Sequence, residues 1–190
     1  MSLQTRKLTF AGVIGALYAT LTIAITLLGF GMVQFGPIQF RIAEALTIFP
    51  FFFPHSVWGL FVGVIIANLF SPYGMLDVFI GSLATLMAAL CTMRIGVYAR
   101  ERGNDSIRPK LAACFPPVII NAVMIGALIS WYTTDSGGAF WAGLLLHGVR
   151  VGAGQLGVLY ALGLPLMLVM PRLPFYKSLA ELSGKNGDAR

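Results

Sequence analysis

Charged residues are scarce in this chain of 190 residues. Asp, Glu, Lys and Arg make up 11% of it, whereas about 25% is usual in a soluble domain. Apolar residues make up 57%, and the mean hydropathy is +0.83. Two uncharged stretches, 8 to 40 and 45 to 76, each exceed the roughly 20 residues that cross a bilayer. The sequence therefore predicts one all-α integral membrane domain over residues 1 to 190 and leaves no room for an appreciable soluble domain.

Residues that build metal and enzyme sites are also few. The two cysteines, Cys91 and Cys114, lie in or beside apolar segments without metal-ligand spacing. No P-loop, HExxH or GxSxG motif is present, so we expect no catalytic residue, metal or cofactor in this chain. Nucleic-acid binding is not expected either, because no aromatic platform accompanies the basic residues. A small membrane hydrolase using Asp77 or His147 and a stand-alone secondary transporter remain as alternatives.

Six apolar segments predict a bundle of six transmembrane helices. They run at about 8–29, 42–54, 57–71, 76–95, 111–132 and 139–169. The second segment is closed by PFFFP at 50 to 54 after about a dozen residues, fewer than a full span requires. It is therefore predicted to be a short tilted helix or half of a re-entrant hairpin.

The distribution of basic residues predicts the orientation of the chain in the membrane. With six crossings, the N-terminus, the 94–110 loop and the C-terminal tail share one side and carry eleven of the thirteen Lys and Arg residues. Short cytoplasmic loops are enriched in Lys and Arg, so both termini are expected to be cytoplasmic. The remaining two basic residues, Arg41 and Arg150, then belong to the outer half.

Polar side chains from several predicted helices share that outer half, which indicates a pocket open to the outside. Ionisable groups at membrane depth usually mark a solute or ion path. Simpler interpretations remain: Asn68 and Asn121 as interhelical hydrogen bonds, Arg41 and Glu44 as a self-neutralising i, i+3 pair, and His147 as a packing residue. Asp135 and His55 are interpreted as loop residues outside the site. The candidate site residues are Arg41, Glu44, Asn68, Tyr73, Asp77, Asn121, Trp131, His147, Arg150 and Gln155.

Small residues form two adjacent rows on the first helix. One row holds Ala11, Gly15 and Ala19, and the next begins with Gly12 and Ala16. Such rows let another helix approach closely. Two rows exceed what one internal neighbour needs, so the face is also a candidate docking surface for another membrane protein.

Four strings in the chain carry a family resemblance: QFRIAEALTIFP, GLFVGVIIANLFSPYGMLDVFIGSLATLMAA, PVIINA and GQLGVLYALGLPL. Together with six spans in about 190 residues, they resemble the QueT family, substrate-binding S-components of energy-coupling factor (ECF) transporters associated with uptake of queuosine precursors. The resemblance covers residues 8 to 170. This chain differs from the pattern expected of the family at Gln155, because the family pattern has an acidic residue after the glycine at position 154.

The resemblance implies a solute-binding protein that works with partners. It implies a transmembrane coupling protein of the EcfT type, docked on Ala11, Gly12, Gly15, Ala16 and Ala19, and two cytoplasmic ABC ATPases that hydrolyse ATP. The implied solute is a 7-deazaguanine, or alternatively another flat vitamin-like compound. Glu44 or Asp77 is then expected to accept from its paired N–H groups, with Arg41 or Arg150 at the carbonyl and Tyr73 or Trp131 stacked on the ring.

Overall fold

A computed structural model describes residues 2–36, 38–133, 137–173 and 176. Its elements are helices and turns, with no strand among the described residues, which confirms the all-α prediction. Four helical segments are long and apolar enough to cross a bilayer, and two are shorter. The four are Leu3–Phe35, Gly74–Glu101, Ile107–Thr133 and Ala139–Arg172, and the two are Ile42–Phe52 and Ser56–Asn68. Asp135 and the basic tail residues Lys177, Lys185 and Arg190 lie outside the described residues.

The first segment is a long helix with a sharp turn near its end. Helix α1 (Leu3–Ile25) is followed by a π-helical turn (Thr26–Phe30) and a short helix α2 (Gly31–Phe35). Gly29 has a φ of +89°, which favours glycine. The side-chain amide of Gln34 donates to the Thr22 carbonyl at 2.7 Å, although a straight helix would place residues twelve apart about 18 Å from each other. The chain therefore folds α2 back over the end of α1.

The second segment is short, as its sequence predicts. It consists of a 3-10 turn (Ile42–Ile48) and helix α3 (Phe49–Phe52). Phe53 leaves the helix with a φ of −127° and a ψ of 90°, because the residue before a proline disfavours the helical conformation. Helix α4 (Ser56–Asn68) follows and has 13 residues, about 20 Å in length.

Helices α1 and α4 run parallel with their backbones in contact. Alanine at Gly15 would place its methyl group on the Gly59 carbonyl oxygen, and alanine at Gly63 would overlap Gly15. Gly59 in turn lies against the carbonyl of Ala11. The small-residue row of α1 that includes Ala11 and Gly15 is therefore an internal contact, because only glycine allows this approach.

The remaining helices complete the bundle. Helix α5 (Gly74–Glu101) has 28 residues, about 42 Å in length. The predicted helix at 111–132 is two helices, α6 (Ile107–Ala113) and α7 (Phe115–Thr133). Prolines at 116 and 117 explain the break, since proline lacks an N–H donor and clashes with the preceding turn. The last segment comprises α8 (Gly137–Val158), a π-helical turn (Leu159–Gly163), α9 (Leu164–Val169) and a 3-10 turn (Met170–Arg172).

The two ends of the bundle differ in character. One end, called the basic end below, has a cleft shared by Arg100, Lys110 and Arg172. An aromatic core lies next to it, where the rings of Phe10 and Phe53 have centroids 4.8 Å apart. The opposite end contains the α4–α5 turn and the ends of α1 and α7. It is here that polar side chains enter the interior.

Candidate binding site

Five side chains from four elements form a buried polar cluster at the end opposite the basic end. They come from α1, the start of the 3-10 turn, the end of α4 and the first turn of α5. None is more than 4% exposed. The members of this cluster are Tyr18, Arg41, Glu44, Asn68 and Asp77.

Arg41 and Glu44 do not pair with each other. The Tyr18 hydroxyl donates to Glu44 Oε1 at 2.6 Å, and Arg41 Nη2 donates to the side-chain oxygen of Asn68. The Phe35 ring covers the guanidinium, with 5.0 Å from its central carbon to the ring centroid. Each charged side chain is thus hydrogen-bonded to a neutral partner. Arg41 and Glu44 do not neutralise each other, although their i, i+3 spacing would allow it.

Asn68 connects the cluster to α5. Its amide nitrogen donates to the Asp77 backbone carbonyl at 3.0 Å while its oxygen accepts from Arg41. A methyl group at Gly81 would overlap both the Asp77 carboxylate and the Asn68 amide. Gly81 therefore leaves the space that these two side chains occupy.

Several buried polar atoms of the cluster have no hydrogen-bond partner among the described residues. They include Glu44 Oε2, Asp77 Oδ1 and Arg41 Nε. A buried polar atom without a hydrogen bond costs about 1–3 kcal/mol, and more for a charged group. Two carboxylate oxygens and one guanidinium N–H group of the cluster thus keep unused hydrogen-bonding capacity.

Aromatic residues cover the cluster on its outer side. The Tyr73 hydroxyl donates to the Phe35 carbonyl at 3.0 Å, and the Tyr132 hydroxyl donates to the Tyr73 carbonyl at 2.7 Å. Burial, and secondarily the Asp77 carboxylate, raise the pKa of the Tyr73 hydroxyl, which keeps it a donor at neutral pH. Beside this cover lies a cleft of about 450 Å³ bounded by the turn after α1 and the α4–α5 turn, and Phe35 forms part of its wall.

The predicted residues of α7 and α8 lie apart from this hydrogen-bonded cluster. His147 Nε2 is 3.2 Å from the Thr133 hydroxyl. Within the described part of the chain, Arg150 and Asn121 form no side-chain hydrogen bond. Gln155 is buried with an unpartnered side-chain oxygen. Its neighbour Gly154 lies against the backbone of Gln39, which is two residues before Arg41. Gln155 therefore lies on the part of α8 that packs beside the segment leading to Arg41.

Trp131 does not belong to the site, contrary to its predicted role as a stacking residue. It is 71% exposed and lines an outward-facing apolar groove with Leu76, Ile80 and Phe140. Tryptophan is common at the membrane interface, which accounts for an exposed indole near the end of α7. Tyr73, in contrast, lies in the cover of the cluster.

The small-residue face of α1 divides into two parts. Ala11, Gly15 and Ala19 are buried, and the first two contact α4 directly. Gly12 and Ala16 are exposed, and a methyl group at Gly12 would meet no atom within 4 Å. Only this second row is available to another protein.

Comparison with known proteins agrees with a membrane transport function. The model of the QueT transporter family matches residues 8–172 of this chain. The chain belongs to the QueT transporter family. Every residue of the buried polar cluster lies within the matched region, and the prediction of a multi-pass transport protein rather than an enzyme is confirmed.

A curated relative of this QueT family member is known from Lactococcus lactis subsp. cremoris (strain MG1363). It is named queuosine precursor transporter QueT and is 32% identical over 84 residues. The aligned part is 44% of this chain and spans about half, 47%, of that relative's length. No solved structure matches this QueT family member.

Sequence reasoning missed three residues in or beside the candidate site. Tyr18 is a lone hydroxyl in an apolar helix, and a buried tyrosine hydroxyl normally finds a partner. Gly81 follows Asp77 by one helical turn on the same face. No sequence pattern indicates that Phe35 covers Arg41, because its position depends on the turn at Gly29.

Proposed function

We propose that this chain is the S-component of an ECF-type importer and captures a queuosine precursor of the 7-deazaguanine type from outside the cell. Family membership and the name of the Lactococcus relative support the solute class. The observation that carries the proposal is the buried pair of carboxylates, Glu44 and Asp77, which retain unpartnered oxygens beside the Arg41 guanidinium.

The chemistry of the cluster suits such a solute. A 7-deazaguanine presents adjacent N–H donors and a carbonyl, and its aminomethyl form adds a cation. One carboxylate oxygen can accept from the N–H edge in a charge-assisted bond, and Arg41 Nε can donate to the carbonyl. A site of buried hydrogen-bonding groups rejects analogues that lack the matching groups far more strongly than an apolar slot does.

The cleft beside Phe35 supplies the access route in this proposal. It lies at the end that would face outward, since Lys and Arg concentrate at the other end. The six helical segments would then all cross, with the short segments Ile42–Phe52 and Ser56–Asn68 enclosed by longer neighbours. The N-terminus and the C-terminal tail would be cytoplasmic.

Energy for uptake would come from partner subunits. A transmembrane coupling protein of the EcfT type would dock on the exposed row of α1 that includes Gly12 and Ala16, and two ABC ATPases would hydrolyse ATP. The exposed side chains of Val13 and Leu17 flank this row and extend its apolar surface.

The test is ligand identification on the purified chain. Mass spectrometry of the detergent-solubilised protein is expected to find a co-purifying 7-deazaguanine that is released unmodified. Isothermal titration calorimetry should then give tight binding of 7-aminomethyl-7-deazaguanine and none of 7-aminomethyl-7-deazapurine, which lacks the carbonyl and the exocyclic amine of the guanine edge. If a different flat vitamin co-purifies, that compound is the solute. If the chain alone converts the compound chemically, the binding role is contradicted.

A further inference from the structure

The basic end contains a cleft that the proposed function does not use. Its volume is about 460 Å³. The walls come from the ends of α3, α5 and α9, the turn after α5, and the start of α6. The residues that line it include Phe51, Phe52, Arg100, Lys110, Leu168 and Arg172.

Three cations face this cleft with one carboxylate. Arg100 donates to the Phe51 carbonyl, and Lys110 Nζ donates to the backbone carbonyl of Asp105 at 3.0 Å. Within the described ranges, Arg172 forms no polar contact and no ion pair holds any of the three cations. The cleft therefore carries a net charge of about +2 and favours an anion.

The rest of the lining is apolar, which restricts the kind of anion. Phe51 and Phe52 are buried, and the Tyr176 ring packs edge-on against Phe52 with centroids 5.7 Å apart. Leu168 and Pro171 continue this surface. A free phosphate gains nothing from such a wall, whereas the glycerol and first methylenes of a phospholipid can pack against it.

The cleft also lies where candidate spans end. One span ends in it at Arg172, a second ends beside it at Glu101, and a third begins at Ile107. Basic pockets between helices at a membrane surface are a recognised way to bind anionic lipid headgroups. We infer that the cleft binds the phosphate of an anionic phospholipid, with Arg100, Lys110 and Arg172 around the headgroup and Phe51, Phe52 and Leu168 against the glycerol.

Arg172→Gln is the principal test variant, because Arg172 is exposed and makes no described contact. Lys110→Gln is the second. Arg108→Gln is the matched control, since Arg108 is an exposed cation on the same short helix as Lys110 but does not line the cleft. All three change the net charge by the same amount.

The protein is purified in detergent, stripped of lipid and titrated with dioleoylphosphatidylglycerol, dioleoylphosphatidylcholine or sodium phosphate. Native mass spectrometry is expected to show one retained phosphatidylglycerol, and thermal unfolding should show a rise in Tm with this lipid alone. Arg172→Gln and Lys110→Gln are each expected to weaken its retention at least fivefold, while Arg108→Gln keeps the wild-type value.

Four results would overturn the inference. Equal stabilisation by phosphatidylcholine would mean that the cleft selects no charge, and an equal effect of sodium phosphate would assign it to free anions. If the Arg108 control lost as much phosphatidylglycerol retention as the cleft variants, the effect would depend on net charge alone. Unchanged lipid retention in Arg172→Gln, combined with loss of assembly with partner subunits, would make the cleft a protein interface.

Discussion

At the scale of single residues, the candidate site depends on charges that neutral groups hold in place. Tyr18 occupies one oxygen of Glu44, and Asn68 occupies one end of Arg41. Desolvating a charge is costly unless hydrogen bonds compensate. The remaining unpartnered atoms, Glu44 Oε2 and Arg41 Nε, are then fixed in orientation before a solute arrives, which reduces the ordering cost of binding.

Replacing Glu44 by Gln is expected to weaken binding of 7-aminomethyl-7-deazaguanine at least tenfold, about 1.4 kcal/mol. The amide keeps the shape but loses the charge-assisted acceptor. Calorimetry on the purified variant measures the change, and Glu101→Gln, an exposed carboxylate at the basic end, is the control. Unchanged affinity in Glu44→Gln would remove this carboxylate from the site.

Gly81→Ala is expected to reduce the same affinity at least tenfold. Its methyl group would overlap the side chains of Asp77 and Asn68 and separate Asn68 from its contacts with Arg41 and α5. Gly12→Ala adds the same methyl group in open space and should bind normally. Equal affinities for the two variants would show that the Asn68–Asp77 contact is unimportant for the solute.

At the scale of elements, the helix α1 has two faces with different roles. One face contacts the backbone of α4 through Gly15, Gly59 and Gly63. The other exposes Gly12 and Ala16. Sequence spacing identified both rows but could not assign them, because identical small residues form each row and only the position of α4 distinguishes them.

The two faces should respond differently to leucine. Gly15→Leu would place a large side chain against the Gly59 carbonyl and is expected to prevent stable folding, seen as loss of a cooperative thermal transition in detergent. Ala16→Leu changes an exposed position, so folding and solute binding should persist while co-purification with the coupling protein is lost. Normal assembly of Ala16→Leu would mean that the partner docks elsewhere.

At the scale of the whole molecule, the hydropathy pattern predicted most of the helical architecture. The six apolar segments are helical, and PFFFP correctly indicated a short second segment. The end of the first helix at about residue 29 was predicted, but the reversal that brings α2 over the end of α1 was not, because it depends on the positive φ of Gly29. Trp131 was misplaced for a similar reason: its position near the end of α7 was evident, but the direction of its side chain depends on how α5, α7 and α8 pack.

Orientation can be tested by labelling single cysteines in a background without native cysteines. Asn104→Cys, in the exposed turn after α5, and Pro72→Cys, in the exposed turn before α5, lie at opposite ends of the bundle. A membrane-impermeant maleimide applied to intact cells lacking an outer membrane is expected to label Cys at 72 only, and inside-out vesicles should reverse the result. Labelling of both positions from one side would contradict the crossing of α5.

The glycine contact between α1 and α4 has a mechanical consequence. Two helices whose backbones touch at Gly15, Gly59 and Gly63 are expected to move as one body. The last residue of α4 is Asn68, which accepts from Arg41 and donates to the Asp77 carbonyl on α5. A displacement of α1 would therefore reach Arg41 and α5 through the same amide side chain.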